Sequence, residues 1–276
     1  MFKILMLMFC LQSFSIIACD NEGYFFPKNN LSIPVSDKIT GLTEGQFNSI
    51  IDEMQAIYGP IFRERGSNLK INKKWKSPMV NARAHRRGFT RHVTMYGGMA
   101  RHSEMNELGF ALVICHEIGH HIGGAPKADP MMSGEGQSDY FAATKCMRRY
   151  LRSKNNPETK ASSIAREKCS SVYANDTEVD HCVLTTLGGI SLSRIFASIT
   201  DEKMPRLDTP DTNVARRTNS RHAGSQCRLD TYFSGALCDN DIDTRFGQTD
   251  PNVGGCSKAN GDKIGIRPAC WYKARD

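Results

Sequence analysis

Residues 103–124 read SEMNELGFALVICHEIGHHIGG, and this stretch decides the fold. Met105, Leu108, Leu112, Cys115, Gly119 and Ile122 recur at spacings of three and four, the stripe of a core-facing helix. Phe110, Val113 and Ile114 add apolar surface on other faces, so burial is expected on most sides. Ser103 offers an N-cap, and Gly123-Gly124 with Pro126 stop the helix. Inside this apolar run sit His116, Glu117 and His120. Burying such groups without a partner is costly, and a divalent cation is the simplest partner. Residues four apart share a helix face, so His116 and His120 can reach one ion. Glu117 then lies beside the open side of that ion. A zinc ion brings the pKa of its bound water from about 16 towards about 7, leaving Glu117 placed as the general base. His121 points to another face.

A third ligand is needed. The longer pattern HExxHxxGxxH matches at Gly123 but ends at Pro126, which cannot bind metal. Downstream, Glu135 and Asp139 are four apart on a second predicted helix over residues 134–151. Glu135 completes a set of two nitrogens and one oxygen, with the fourth position left to water. Asp139 can accept the ring N–H of a ligating histidine and fix its tautomer.

Elsewhere, Thr43 and Gln46 form a capping-box pattern opening a helix that Gly59-Pro60 should end. Residues 69–75, 79–85 and 92–96 read as short strands. Helices are expected near 158–171 and 182–199, a polar loop over 201–224, and a short helix from about Gln226. The fold class is therefore α+β: a small sheet packed on the HEIGH helix and the Glu135 helix.

HEIGH followed by Glu-x-x-x-Asp resembles the gluzincin metallopeptidases. Within them the chain is most similar to the family of CaaX prenyl endopeptidases and the heat-shock protease HtpX. Val80-Asn81-Ala82 resembles that family's Asn-Ala strand, and Met95-Tyr96-Gly97-Gly98 the strand and glycines before its active-site helix. His222 and Arg228 match the spacing of a late His-Pro-x-x-x-x-Arg motif, with Ala223 in place of the proline. The resemblance covers about residues 80–230. It implies a zincin-like fold, with His222 and Arg228 near the zinc stabilising the oxyanion. It also implies an edge strand over 92–98, onto which an extended peptide could add. The membrane-spanning helices of the integral members have no counterpart, which implies a soluble, exported member.

The first eighteen residues read as a signal peptide, with Lys3 ahead of a short apolar run. Ile16-Ile17-Ala18-Cys19 resembles a lipobox, so Cys19 is a candidate for lipidation and the protein for a periplasmic or cell-envelope location. Residues 19–42 read as a tether, 43–237 as the metallopeptidase domain, and 238–276 as a Cys- and Gly-rich segment packed on it. Of ten cysteines, Cys10 and Cys19 belong to the leader and lipobox; the remaining eight suit disulfides in an exported chain. A preference for short loops pairs Cys169 with Cys182, Cys227 with Cys238 and Cys256 with Cys270, leaving Cys115 for Cys146. The formal charge of +7 could favour acidic substrates or anionic surfaces. No Lys/Arg block is dense enough to indicate nucleic acid.

The expected activity is zinc-dependent endopeptidase hydrolysis of protein or peptide substrates, with one Zn2+ per chain and membrane contact only through the anchor. Two rivals remain: a zinc hydrolase acting on cell-wall peptides, and a non-catalytic, zinc-stabilised binding lipoprotein.

Overall fold

The computed structural model describes residues 23–36, 38, 40–154 and 163–274; the leader, Ala18 and Cys19 lie outside the described residues. Thr43 starts the first helix with a complete capping box: its hydroxyl accepts from the Gln46 N–H, and the Gln46 side chain accepts from the Thr43 N–H. Helix α1 spans Glu44–Glu64 and carries Pro60 inside it rather than ending there. An interior proline costs about 3 kcal/mol. The turn beyond it buries Phe62 completely, which offsets most of that cost.

Strands β1 (Asn68–Lys74), β2 (Ala82–Arg87) and β3 (Thr90–Tyr96) form a mixed sheet in the order β1-β3-β2. β3 is therefore central, parallel to β1 and antiparallel to β2, which corrects the expectation of an edge strand at 92–98. Composition explains the order. Val93 and Met95 of β3 are fully buried, whereas β1 and β2 are rich in Lys and Arg, residues that sheet edges tolerate. The outer edge of β2 is itself paired: Phe25 N–H donates to the Ala82 carbonyl and Ala84 N–H to the Gly23 carbonyl. Phe25 and Phe26 are core residues, and the Asn81 amide bonds both backbone groups of Phe26. This part of the expected tether is thus built into the sheet.

After the short turn α2 (Gly97–Ala100), helix α3 runs Glu107–Ile122, capped by the Asn106 side chain on Gly109 N–H rather than by Ser103. A small hairpin, β4 (Lys127–Asp129) and β5 (Met132–Ser133), leads to α4 (Glu135–Phe141). A π-helical turn, Ala142–Cys146, joins α4 to α5 (Met147–Arg152). Helices α6 (Ser163–Ser170), α7 (Asp176–Thr200) and α8 (Ser225–Ala236) complete the helical layer. α7 begins earlier than its apolar run because Asn175 caps it. It is long and apolar enough to cross a membrane, but 72% of its apolar window is buried within the fold, as in a core helix.

Four disulfides cross-link the chain: Cys115–Cys146, Cys169–Cys182, Cys227–Cys270 and Cys238–Cys256. The expected pairs Cys227–Cys238 and Cys256–Cys270 are therefore replaced. The C-terminal segment turns back across α4 and α8, where Trp271 lies against Gly136 and donates its indole N–H to Thr231. That return path carries Cys270 to Cys227.

Candidate metal centre

The site is made where α3 and α4 cross. Gly119 is the contact: a Cβ there would lie 3.0 Å from both the Cα and the carbonyl oxygen of Ser138. The absent side chain lets the two backbones approach, and the crossing aims Glu135 at the His116–His120 face. One turn before Gly119, Cys115 comes within 5.5 Å (Cα–Cα) of Cys146, close enough for their bridge.

The donor atoms converge. His116 Nε2 lies 3.0 Å from His120 Nε2 and 3.2 Å from Glu135 Oε2, and His120 Nε2 lies 3.6 Å from Glu135 Oε1. Two ligands held about 2.0–2.1 Å from a tetrahedral ion are about 3.3 Å apart, which these separations bracket. His116, His120 and Glu135 could thus hold one metal ion. A second cluster, Asp211 with Cys227 and Cys270, offers no thiolate because both cysteines are in one disulfide.

Hydrogen bonds at the far ring nitrogens set the tautomers. Asp139 accepts two bonds from Arg228, through Nε and Nη2, and one from the Tyr232 hydroxyl. Burial would raise its pKa, but Arg228 overrides that and holds it below the ordinary aspartate value. An anionic Asp139 takes its fourth bond from His116 Nδ1 at 2.6 Å, so a proton sits there and Nε2 is the nitrogen left to face a metal. His120 Nδ1 likewise donates to the Ser133 carbonyl at 3.0 Å. Burial opposes a charged His116, yet Asp139 holds its pKa up at about 9. For His120, burial prevails and brings the pKa down to about 4. Burial also works against a charged Glu135, but His222 and His120 hold it well below the usual carboxylate range.

Glu117 is fully buried, and neither of its carboxylate oxygens has a hydrogen-bond partner among the described residues. Burial pushes its pKa up to about 8. A buried carboxyl group without hydrogen-bond partners calls for a cation or a proton-transfer partner beside it.

His222 Nε2 lies 3.1 Å from Glu135 Oε2, beside the converging donors but not among them. Arg228 stands differently from the expectation of a group facing the reaction. Its guanidinium is spent on Asp139, Tyr232 and the Phe25 carbonyl, sandwiched between the Phe25 and Phe196 rings at 4.5 and 4.8 Å. It reaches the donors only through Asp139 and the distal nitrogen of His116, which makes it a positioning residue. Sequence reasoning missed Ser133, Tyr232 and Phe25, whose ring packs edge-on against His116 at 4.8 Å. Ser133 and Phe25 act through backbone or ring contacts that carry no motif. Tyr232 could have been found, four residues after Arg228 on the same helix face.

Comparisons with protein-family models, with curated proteins and with solved structures find no match.

Proposed function

We propose that this protein is an exported zinc metalloendopeptidase of gluzincin type, with a zincin-like arrangement of sheet, HEIGH helix and Glu135 helix. The observation that carries the reading is the convergence of His116, His120 and Glu135 beside the partnerless, buried carboxylate of Glu117. A purely structural site has no use for such a base. When bound, zinc supplies Lewis acidity and a water of lowered pKa. Glu117 takes a proton from the attacking water and returns it to the leaving amine. His222 stands where it can donate to the developing oxyanion, while Asp139, held by Arg228, fixes the His116 ring. The four disulfides are compatible with export.

His116 and Glu117 are fully buried, while Glu135 and His222 keep 9% and 7% of their side-chain surface exposed. The β2 edge at Ala82 and Ala84 is already paired with residues 23–25, so strand addition there must displace that segment. Hydrolysis of casein and of labelled peptidoglycan, with and without chelator, tests the reading. Chelator-sensitive cleavage of casein is expected. Cleavage of peptidoglycan alone would move the substrate to cell-wall peptides, and bound metal without turnover would leave a binding lipoprotein.

A further inference from the structure

From Arg65 to Ser103 the chain contains ten Lys or Arg and no Asp or Glu. The whole chain has a formal charge of +7, so everything outside this segment is net acidic. The segment is the three-stranded sheet, and alternation sorts its side chains. Leu69, Ile71, Ala82, Ala84, Val93 and Met95 face the core. The opposite face carries Lys70, Asn72 and Lys74 from β1, His92, a buried Thr94 and Tyr96 from β3, and Arg83, His85 and Arg87 from β2, with Arg83 over the Tyr24 ring.

Register places Lys70, His92 and His85 in one row, the two imidazoles stacked with centroids 4.7 Å apart, and Asn72, Thr94 and Arg83 in the next. Several other cations of the segment are engaged. Lys73 pairs with Asp52 at 2.7 Å, and Arg101 donates to the carbonyls of Ile33, Trp75 and Ser77. Lys70, Lys74, Arg83 and Arg87 form no ion pair with a carboxylate among the described residues. A flat face that gathers cations without countercharge repels itself and suits a polyanionic surface.

Two further observations specify the surface. Phe89 sits at the β2–β3 turn, 79% exposed, between Arg87 and Arg91. An aromatic tip flanked by cations is the arrangement of an interfacial membrane contact. Traced back from Phe25 to Gly23, the chain runs along β2 from Ala82 to Ala84, towards that tip. Cys19 precedes Gly23 by four residues, a link that spans at most about 14 Å. A diacylglyceryl group on Cys19 would enter the membrane within reach of this face.

We propose that the outer face of the sheet, with the Phe89 tip, docks on an anionic phospholipid surface. A basic face adds an attachment that weakens with salt and does not depend on any lipid carried by Cys19. Docking is independent of turnover.

The test is flotation of residues 20–276, which lack both the apolar leader and the acylation site, with phosphatidylcholine vesicles and with mixed phosphatidylcholine/phosphatidylglycerol vesicles. Binding is expected to the mixed vesicles only and to weaken with added salt. Lys70→Glu and Arg87→Glu should each lower partitioning by at least about fivefold, the scale for one basic residue at such a surface. Lys258→Glu makes the same charge change on an exposed residue outside the sheet and should leave partitioning nearly unchanged. Phe89→Ser should weaken binding without altering its salt dependence. Lys74→Gln and Arg87→Gln serve if a reversal fails to fold. Equal binding to both vesicle types overturns the proposal, as does an equal loss in Lys258→Glu. Retention on polyglutamate or DNA with no vesicle binding also overturns it, assigning the face to a soluble polyanion.

Discussion

Two imidazole nitrogens 3.0 Å apart need a proton or a cation between them. Without metal the proton belongs to His116, whose pKa Asp139 holds up at about 9 against burial, while burial keeps His120 neutral; a divalent ion binds by displacing that proton. His116→Ala removes one of the three groups that could hold the ion. That variant should lose bound zinc and activity together, read by metal analysis of the purified protein; full metal retention would refute the assignment. Glu117→Gln separates binding from chemistry. It keeps size and metal, and turnover on casein should fall at least about a hundredfold. Asp139→Asn tests the support behind His116. It should lower zinc affinity by about 10- to 100-fold in a chelator competition, because the His116 tautomer is no longer fixed. It should also lower stability by several kcal/mol, leaving Arg228 buried without its countercharge. At this scale the sequence was informative. The convergence of His116, His120 and Glu135 and the place of Asp139 were legible from spacing, while the place of Arg228 was not, since no pattern tells a guanidinium aimed at substrate from one aimed at a carboxylate.

Among the elements, the crossing of α3 with α4 governs the site, and Gly119 governs the crossing. Alanine would gain helix propensity of about 1 kcal/mol. Against that, its Cβ would meet the Ser138 backbone at 3.0 Å and the Phe141 ring at 3.1 Å, and backbone cannot rotate away. Gly119→Ala should therefore be net destabilising by about 1–3 kcal/mol in urea unfolding and should weaken zinc binding as Glu135 is pushed from the histidines. An unchanged affinity would show that the crossing has slack. Helix existence was legible from periodicity and caps, and both ligand-bearing helices lie where expected. Strand order was not legible. Three short strands admit several orders, and what decided among them was which strand could be stripped of water on both edges. β3, with Val93 and Met95 buried, met that condition; Lys- and Arg-rich β1 and β2 did not.

For the molecule as a whole, long-range closure defeats local reading, and the disulfides show why. Cys227 bonds Cys270 across 43 residues although Cys238 lies eleven away. Each doubling of loop length costs only about 0.6 kcal/mol, so proximity in sequence is a weak guide beside the burial of Trp271 on α4 and α8. The same returning segment is held by Lys145, on the π-helical turn, whose ammonium donates to the Asp241 carbonyl and lies 5.5 Å from the Phe246 ring centroid. Burial, aided by Arg148, pushes the Lys145 pKa down to about 8. In the unfolded chain it returns to the ordinary lysine value, about 10.4. Between these values the unfolded state holds a proton that the folded state has released, so Lys145 makes stability rise with pH across that window. Near pH 10 the opposite effect begins, because unfolded tyrosines ionise at about that pH while burial pushes the pKa of Tyr58 and Tyr173 up. The clean comparison is thus urea unfolding at about pH 7.5 and about pH 9.5, below the tyrosine range. Lys145→Met keeps the length of the side chain and removes the titration. The wild-type protein should gain stability relative to this variant as pH rises between those two points. A constant difference would mean that Lys145 keeps an ordinary pKa and that its hold on the Asp241 loop does not depend on pH.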